Sequence, residues 1–444
     1  MGEFVAGTVR RDLFSCLWLR CSFVCAPVYA NPPSFYYYAY IIGKMARDRR
    51  TYLTGVAVAA ASLAGCSSLL GSPDPDDPPP SGVDELPNPE DSVSGANGEW
   101  SSFGCNAANT RSVGDGRAPV DHVTERWRVE VPQTTYREPV VSGGRVFQVN
   151  PEALQVLDSS DGSELWTDPD AETVPLVRGG VAYVSTGDAV RALDAESGDR
   201  LWERRPEGRG RVSAPSTHAG DELVCGAGER VFSLDPANGD VLWRRQVFGG
   251  VRDHAAVWMG HGAVLATEAG MVYLLGDGGS GVWRWQLPAP PTAPPTTDTD
   301  SIYVPCRDGT TYALDVEGSA RDVRWEAETR MVERGLCLVD GLVLAANGFQ
   351  ILAVDPESGD KRWELEIGDW RHTAPAFGRD TVFVGGDRLR ALDPTPGDSA
   401  AGGPALRFER EFIGRVGPGP VLDDGTLYVV AQVAEETYAL LALE

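Results

Sequence analysis

In a chain of 444 residues with 39 basic against 64 acidic side chains, the residues best placed to do chemistry are arginines. Only Lys44 and Lys361 among the basic residues are lysine. Arg137, Arg209, Arg211, Arg252, Arg330, Arg334, Arg371 and Arg415 recur along the chain, each a few residues ahead of a short stretch that reads as a strand. A guanidinium offers a planar fork of donors that matches a carboxylate or a phosphate. Several brought together would make a local positive site in a protein whose net charge is −25. The plainer alternative is that arginine is simply the cation this chain uses, each one paired with a nearby Asp or Glu. The overall acidity argues against generic nucleic-acid binding, which wants a basic face.

A second chemical signal is Cys66. Arg49 and Arg50 open the stretch RRTYLTG, which has the order of a twin-arginine export signal, and the apolar run 56–64 follows it. Leu63-Ala64-Gly65-Cys66 then has the order of a lipobox, in which the cysteine is lipidated and becomes the first residue after cleavage. On this reading residues 45–66 are the signal and lipobox, a plain secretory signal with an incidental cysteine being the alternative. The mature protein is exported and anchored to the outer face of the cytoplasmic membrane. Residues 1–44 precede Met45, where such a signal would start, and read as an extension upstream of it; a second export segment is the alternative. Arg20 and Pro32-Pro33 interrupt their apolar stretches, so they make a poor membrane span. Residues 67–99, rich in Pro and Asp with no core-forming period, read as a tether.

Other reactive residue types are scattered. The eight cysteines include no CxxC and no adjacent pair, so local zinc ligation is unsupported. Cys306 and Cys337 lie in consecutive repeats and are the favoured disulfide pair among Cys105, Cys225, Cys306 and Cys337, with buried free thiols as the alternative. Of the five histidines, His254 and His261 are seven residues apart, a spacing that suits structure better than metal binding. Asp298 and Asp300 read as surface-loop carboxylates. No glycine-rich phosphate loop or nucleophile elbow is present.

The elements that must position these residues come from a repeat. Residues 192–202 read ALDAESGDRLW, and VLDSSDGSELW at 156–166, SLDPANGDVLW at 233–243 and AVDPESGDKRW at 353–363 repeat it. Each keeps Gly four and Trp eight residues after the Asp. The Asp can hydrogen-bond the turn backbone and the Gly can take φ > 0, so the stretch reads as two strands and a tight turn. Ahead of each lies a second-strand segment: 144–149, 180–185, 221–226, 262–267, 300–305, 341–346, 380–385 and 425–430. The closing aromatics are Trp127, Trp166, Trp202, Trp243, Trp285, Trp325, Trp363 and Phe408, spaced 36 to 45 residues apart. Four strands in that period predict an all-β, eight-bladed β-propeller of four-stranded antiparallel blades over 100–444, with the Trp residues between blades. Trp127 precedes the first repeat, and the last repeat lacks an outer Trp strand. The N-terminal strand is therefore expected to complete the eighth blade and close the ring. Residues 100–111 read as an irregular lead-in.

The repeat resembles the PQQ-like β-propeller family, which includes quinone-dependent alcohol dehydrogenases and the propeller lipoprotein of outer-membrane protein assembly. That resemblance implies fold more than function. Dehydrogenases of this kind use a catalytic Asp, a carboxylate-held Ca²⁺ and a vicinal Cys-Cys ring. This sequence has no Cys-Cys, so no catalytic residue is carried over and no cofactor is expected, with PQQ and Ca²⁺ as the alternative. The expectation is a monomeric binding or scaffolding module with a protein partner or a small anionic ligand. The inter-repeat arginines would ring one mouth of the central channel, with Arg211, Arg252, Arg371 and Arg415 as the candidate site. The acidic, lysine-poor composition suits high salt and points to a halophilic source, an archaeon being the expectation.

Replacing Cys66 by Ser should move the protein from the membrane fraction to the medium, or leave it unprocessed. Fractionation and the mass of the mature N-terminus check this.

Overall fold

The computed structural model describes residues 100–444, except 115, 134, 209, 219–221, 252–253, 259–261, 317–322, 340, 371 and 397–402. The signal, Cys66 and the tether lie outside the described residues. The described strands form eight four-stranded antiparallel sheets, blades of a β-propeller, with no α-helix among the described residues. Seven blades are built from four consecutive strands, inner to outer. The eighth takes three strands from the C-terminus and its outer strand, Glu125–Val131, from the N-terminal side. That strand pairs antiparallel with Thr437–Leu443, in register from Trp127 opposite Ala442 to Val131 opposite Tyr438. The expected closure of the ring is therefore present.

The Asp-Gly-Trp spacing works between blades, not within one. In the second blade the Asp194 carboxylate accepts bonds from the Glu196 and Ser197 amides at 2.9 and 2.8 Å. These bonds hold its pKa below the usual value. Gly198, with φ of +77°, ends that turn, and a Cβ there would lie 2.7 Å from the Trp166 ring of the preceding blade. The same contact joins Gly162 to Trp127, Gly239 to Trp202 and Gly359 to Trp325. Each indole also donates to the next blade's hairpin: Trp127 to the Ser159 carbonyl at 2.9 Å, Trp166 to Ala195 at 3.2 Å, Trp202 to Pro236 at 2.9 Å and Trp325 to Pro356 at 2.8 Å. Glycine is required here for its backbone conformation and because an indole occupies the space of a side chain. In the fourth blade the residue in repeat register is Trp283, opposite Leu274, while Trp285 lies two positions on, opposite Val272. The hairpin there closes through a short 3₁₀ turn, Asp277–Gly279, which shortens the loop by one residue and shifts the apparent spacing.

The lead-in segment is where the chain departs most from its reading as an irregular start. Residues 100–113 fill the central channel. Each inner strand is an edge, with amides facing the axis. Val141, Val177, Val257, Thr297, Leu338 and Phe377 occupy corresponding places on the inner strands of blades 1, 2, 4, 5, 6 and 7. Their amides donate in turn to the carbonyls of Trp100, Ser101, Ala107, Ala108, Thr110 and Arg111, at 2.7 to 3.0 Å. The bridge from Trp100 to Val141 is antiparallel and that from Ser112 to Phe377 parallel. The segment therefore enters and leaves by the same end of the channel, the face that carries the Asp-Gly turns. Trp100, Cys105, Asn109 and Arg111 are buried, and Phe103 stacks on His254 with centroids 4.4 Å apart.

Arg111 fixes this loop. It is fully buried, its Nε donates to the Pro375 carbonyl at 2.8 Å, and its Nη1 meets Glu138 at 2.5 Å. The second Glu138 oxygen accepts the Gly104 amide at 3.1 Å. Removing one member of a buried pair strands the other charge, at a cost of about 3–5 kcal/mol.

Arg111→Met should lower unfolding stability by about that amount, and adding Glu138→Gln, which keeps an acceptor for Gly104, should restore part of it. Urea unfolding checks both. Gly198→Ala should also destabilise the protein, and by less in a Trp166→Ala background, where the indole no longer occupies the space. A thermal double-mutant cycle reads that coupling.

Candidate functional site

With the channel filled from the turn face, the open concavity is on the opposite face, where each outer strand crosses to the next inner strand. A cleft of about 810 Å³ lies there. Five arginines line it: Arg137, Arg191, Arg205, Arg211 and Arg334, with Glu152, Asp170, Glu172 and Asp188 between them. Its lining is slightly positive in a strongly negative protein. Arg137, Arg211 and Arg334 come from the inter-blade connections, as the repeat pattern anticipates. Arg191 lies on the third strand of blade 2 and Arg205 just past its outer strand, and both lay outside that pattern.

The cleft is internally paired along its blade-2 wall. Arg191, mostly buried, contacts Asp168 at 3.2 Å, Asp170 at 2.9 Å and Glu203 at 2.8 Å. Burial alone would lower its pKa, but the bonds to Glu203 and Asp170 and the charge of Asp168 hold it above its usual value. Its hydrogen bond in turn keeps the Glu203 carboxyl below its usual range. Arg205 lies 3.1 Å from Glu203 and 3.5 Å from Asp188. Arg211 is paired with Glu172, which also accepts the Gly187 amide. The Arg211 side chain remains 73% exposed, so this pair is screened and exchangeable.

The four arginines singled out from the sequence fall in different settings. Arg211 is in the cleft. Arg415 lies over the Trp370 ring, 3.8 Å from its centroid, and 5.0 Å from that of Tyr438, a cation–π arrangement at the blade-8 connection. Arg252 and Arg371 lie outside the described residues. Tyr136, which lines the cleft, has its ring 4.8 Å from that of His372 and 6.0 Å from that of Trp370. His372 Nδ1 lies 3.0 Å from Glu333 Oε2. Four connections, into blades 1, 6, 7 and 8, thus meet in one aromatic and ionic cluster beside the cleft. No local spacing marks it, because its members are far apart in sequence.

The remaining residue types are structural. Cys306 and Cys337 are not bonded to one another, contrary to the favoured pairing; Cys105, Cys225, Cys306 and Cys337 are all buried free thiols. Cys306 follows the second strand of blade 5 and donates to Val304, while Cys337 sits on the inner strand of blade 6 and donates to the Arg111 carbonyl. They belong to separate core clusters. Burial pushes the Cys225 thiol up to about 12 and Cys306 likewise, so neither is a ready nucleophile. Asp298 accepts the Asp300 and Ser301 amides and the Tyr303 hydroxyl, closing a turn. His261 lies outside the described residues. Among the described residues, no group of three or more His, Cys, Asp or Glu could hold a metal ion.

Eight four-stranded blades around a filled axis, four of them with the Asp-Gly-Trp hairpin, and a charged mouth on the connection face define a propeller of PQQ-like repeats. Residues 120–259 and 247–442 match the sequence profile of the family described as outer membrane protein assembly factor BamB, and the chain belongs to that family. No curated protein sequence matched significantly. Among solved structures, BamB from Moraxella catarrhalis is similar over 72% of this chain and 100% of its own, with TM-score 0.55 and 17% identity. The quinohemoprotein alcohol dehydrogenase from Comamonas testosteroni is similar over 78% and 80%, with TM-score 0.59 and 14% identity. The computationally designed Ika8 protein is similar over 72% and 99%, with TM-score 0.57 and 16% identity. At these identities the likenesses describe the fold.

Proposed function

We propose that this chain is an exported, lipid-anchored propeller that binds or scaffolds a protein partner, seating an acidic loop of that partner at its connection-face mouth. Membership of a family described as an assembly factor supports a protein-binding role over a catalytic one. The observation that carries the site is the cleft itself: arginines from several blades converge where the net charge of the chain would predict repulsion of an anion. A cleft with low-dielectric walls concentrates field and raises the local concentration of the opposite charge. Guanidinium forks hold carboxylates bidentately. The size of the cleft suits a peptide loop better than a single small carboxylate, which stays as the alternative ligand.

The reading includes no quinone and no Ca²⁺. The sequence lacks the vicinal cysteine pair of the quinone dehydrogenases, and the axis of this propeller holds its own residues 100–113. It also takes the protein as a monomer that does not bind nucleic acid, consistent with its acidity.

The test is capture from the native envelope. The double variant Arg211→Ala/Arg137→Ala, both residues of the cleft, should lose partners that wild type retains after crosslinking. If it retains every one of them, with an unchanged melting temperature, the mouth is not the docking site.

A further inference from the structure

The Arg211–Glu172 pair of the cleft has a third member. Glu172, on the connection into blade 2, places its Oε2 where two donors meet: the Gly187 amide, at 3.1 Å, and Nη2 of Arg211. Gly187 lies in the turn between the second and third strands of blade 2, with φ of +51°, and Arg211 lies on the connection from blade 2 to blade 3. Other bonds lace these three segments together. The Glu172 amide donates to the Ser185 carbonyl and the Val212 amide to the Gly187 carbonyl, both at 2.9 Å. The Ser185 hydroxyl donates to the Ser213 carbonyl at 2.6 Å, and the Ser185 amide to Thr173 Oγ1 at 2.9 Å. The backbone around the two donors is therefore held independently of the Glu172 carboxylate. The Glu172 side chain is 40% exposed and that of Arg211 73%, and both line the cleft.

We propose that the Gly187 amide and the Arg211 guanidinium form a carboxylate seat, that Glu172 fills it in the unbound protein, and that a Glu or Asp side chain of an acidic peptide replaces Glu172 there. This rests on the mouth reading and names the contact through which it works. The chemistry of the ligand follows from the seat, which already holds a carboxylate between a backbone donor and a charged one. An exposed pair is screened and costs little to open. Once released, Glu172 returns to water. An incoming carboxylate can present both oxygens to the guanidinium fork, where Glu172 presents one. Arg191 offers no such exchange, being mostly buried among three carboxylates. Glu172 also sets a threshold. A lone small carboxylate must displace it unaided, whereas a run of acidic side chains held elsewhere at the mouth supplies the replacement at high effective concentration.

The experiment measures binding of a fluorescent oligoglutamate peptide to the purified full chain at moderate salt. Arg211→Ala should weaken binding by about tenfold or more, as expected for loss of a hydrogen bond between charged groups. Glu172→Gln keeps an acceptor for the Gly187 amide but gives up the charge that holds Arg211. It should tighten binding by about two- to fivefold, the range an exposed ion pair spans. Glu172→Asp keeps the charge and draws the carboxylate back by one methylene, so it should tighten binding with no change in net charge. Glu152→Gln removes an equal charge from the same cleft and measures the general electrostatic gain, which should be smaller. In an Arg211→Ala background, Glu172→Gln should gain no more than Glu152→Gln does. If Glu172→Gln gains no more than Glu152→Gln in the wild-type background, and Glu172→Asp gains nothing, Glu172 does not fill the seat and the proposal is overturned. If Arg211→Ala binds like wild type while Arg137→Ala does not, the seat is elsewhere and the mouth reading survives. If neither wild type nor Glu172→Gln binds the peptide, the mouth reading itself falls, and this proposal with it.

Discussion

Every inner strand of a propeller is a sheet edge, and its outward-facing amides must find acceptors somewhere. In this protein a single short segment supplies them. Residues 100–113 offer successive carbonyls to corresponding amides on six of the eight inner strands. The segment thereby acts as an axial strut, tying blades on opposite sides of the ring as well as neighbours. The buried Arg111–Glu138 pair is the cost of bending that strut into a loop that enters and leaves by one face, and two backbone partners, Pro375 and Gly104, satisfy much of it. A channel filled in this way is not a passage. At the mouth above it, Glu138 of the strut's anchor is next in sequence to Arg137 of the cleft.

The repeat motif solves the complementary problem at the rim. A lone blade cannot bury both faces, and its Trp would lie on the surface. The neighbouring hairpin supplies both a surface without a Cβ and a carbonyl for the indole N–H, so the ring is made of reciprocal contacts between unlike ends of adjacent repeats. The closing contact obeys the same rule: Trp127, on the strand contributed from the N-terminal side, packs on Gly162 of the first blade and lies 5.9 Å from the Tyr428 ring of the eighth. Ring closure therefore uses the standard inter-blade joint. The motif consequently reports architecture and is silent on chemistry.

This explains what could be read from the sequence. The blade count, the second strands and the N-terminal closure follow from short-range periodicity, and the structure has them all. The fourth-blade aromatic was displaced from Trp283 to Trp285 because one hairpin is a residue shorter, and a spacing rule has no way to see a deletion inside a turn. Cys306 and Cys337 looked like partners because they are in adjacent repeats. They differ in strand position, and strand position decides which core cluster a side chain enters. The axial strut carried no periodic signal at all, since its partners are six strands spread over most of the chain. Of the candidate site, the arginines of the connections were legible because their position in the repeat was. The Tyr136–His372–Glu333 contact joins residues of three separate connections and is visible only once the ring is closed.

The charge arrangement at the mouth also constrains how such a surface can work. A chain with net charge −25 repels acidic partners at long range, so steering by the whole field opposes the encounter that the cleft would favour. Salt removes this conflict. The Debye length falls to about 3 Å at 1 M ionic strength, which suppresses the repulsion of the distant carboxylates but screens buried guanidinium–carboxylate contacts much less. Exposed internal pairs such as Arg211–Glu172 weaken under the same conditions and exchange partners at little cost, whereas Arg191, mostly buried among three carboxylates, stays committed to the scaffold. The blade-2 wall thus divides into a fixed ionic frame and an exchangeable outer arginine. Under the function proposed above, an acidic protein would hold an acidic partner by contacts shielded from solvent at the mouth and not by the sign of its overall field.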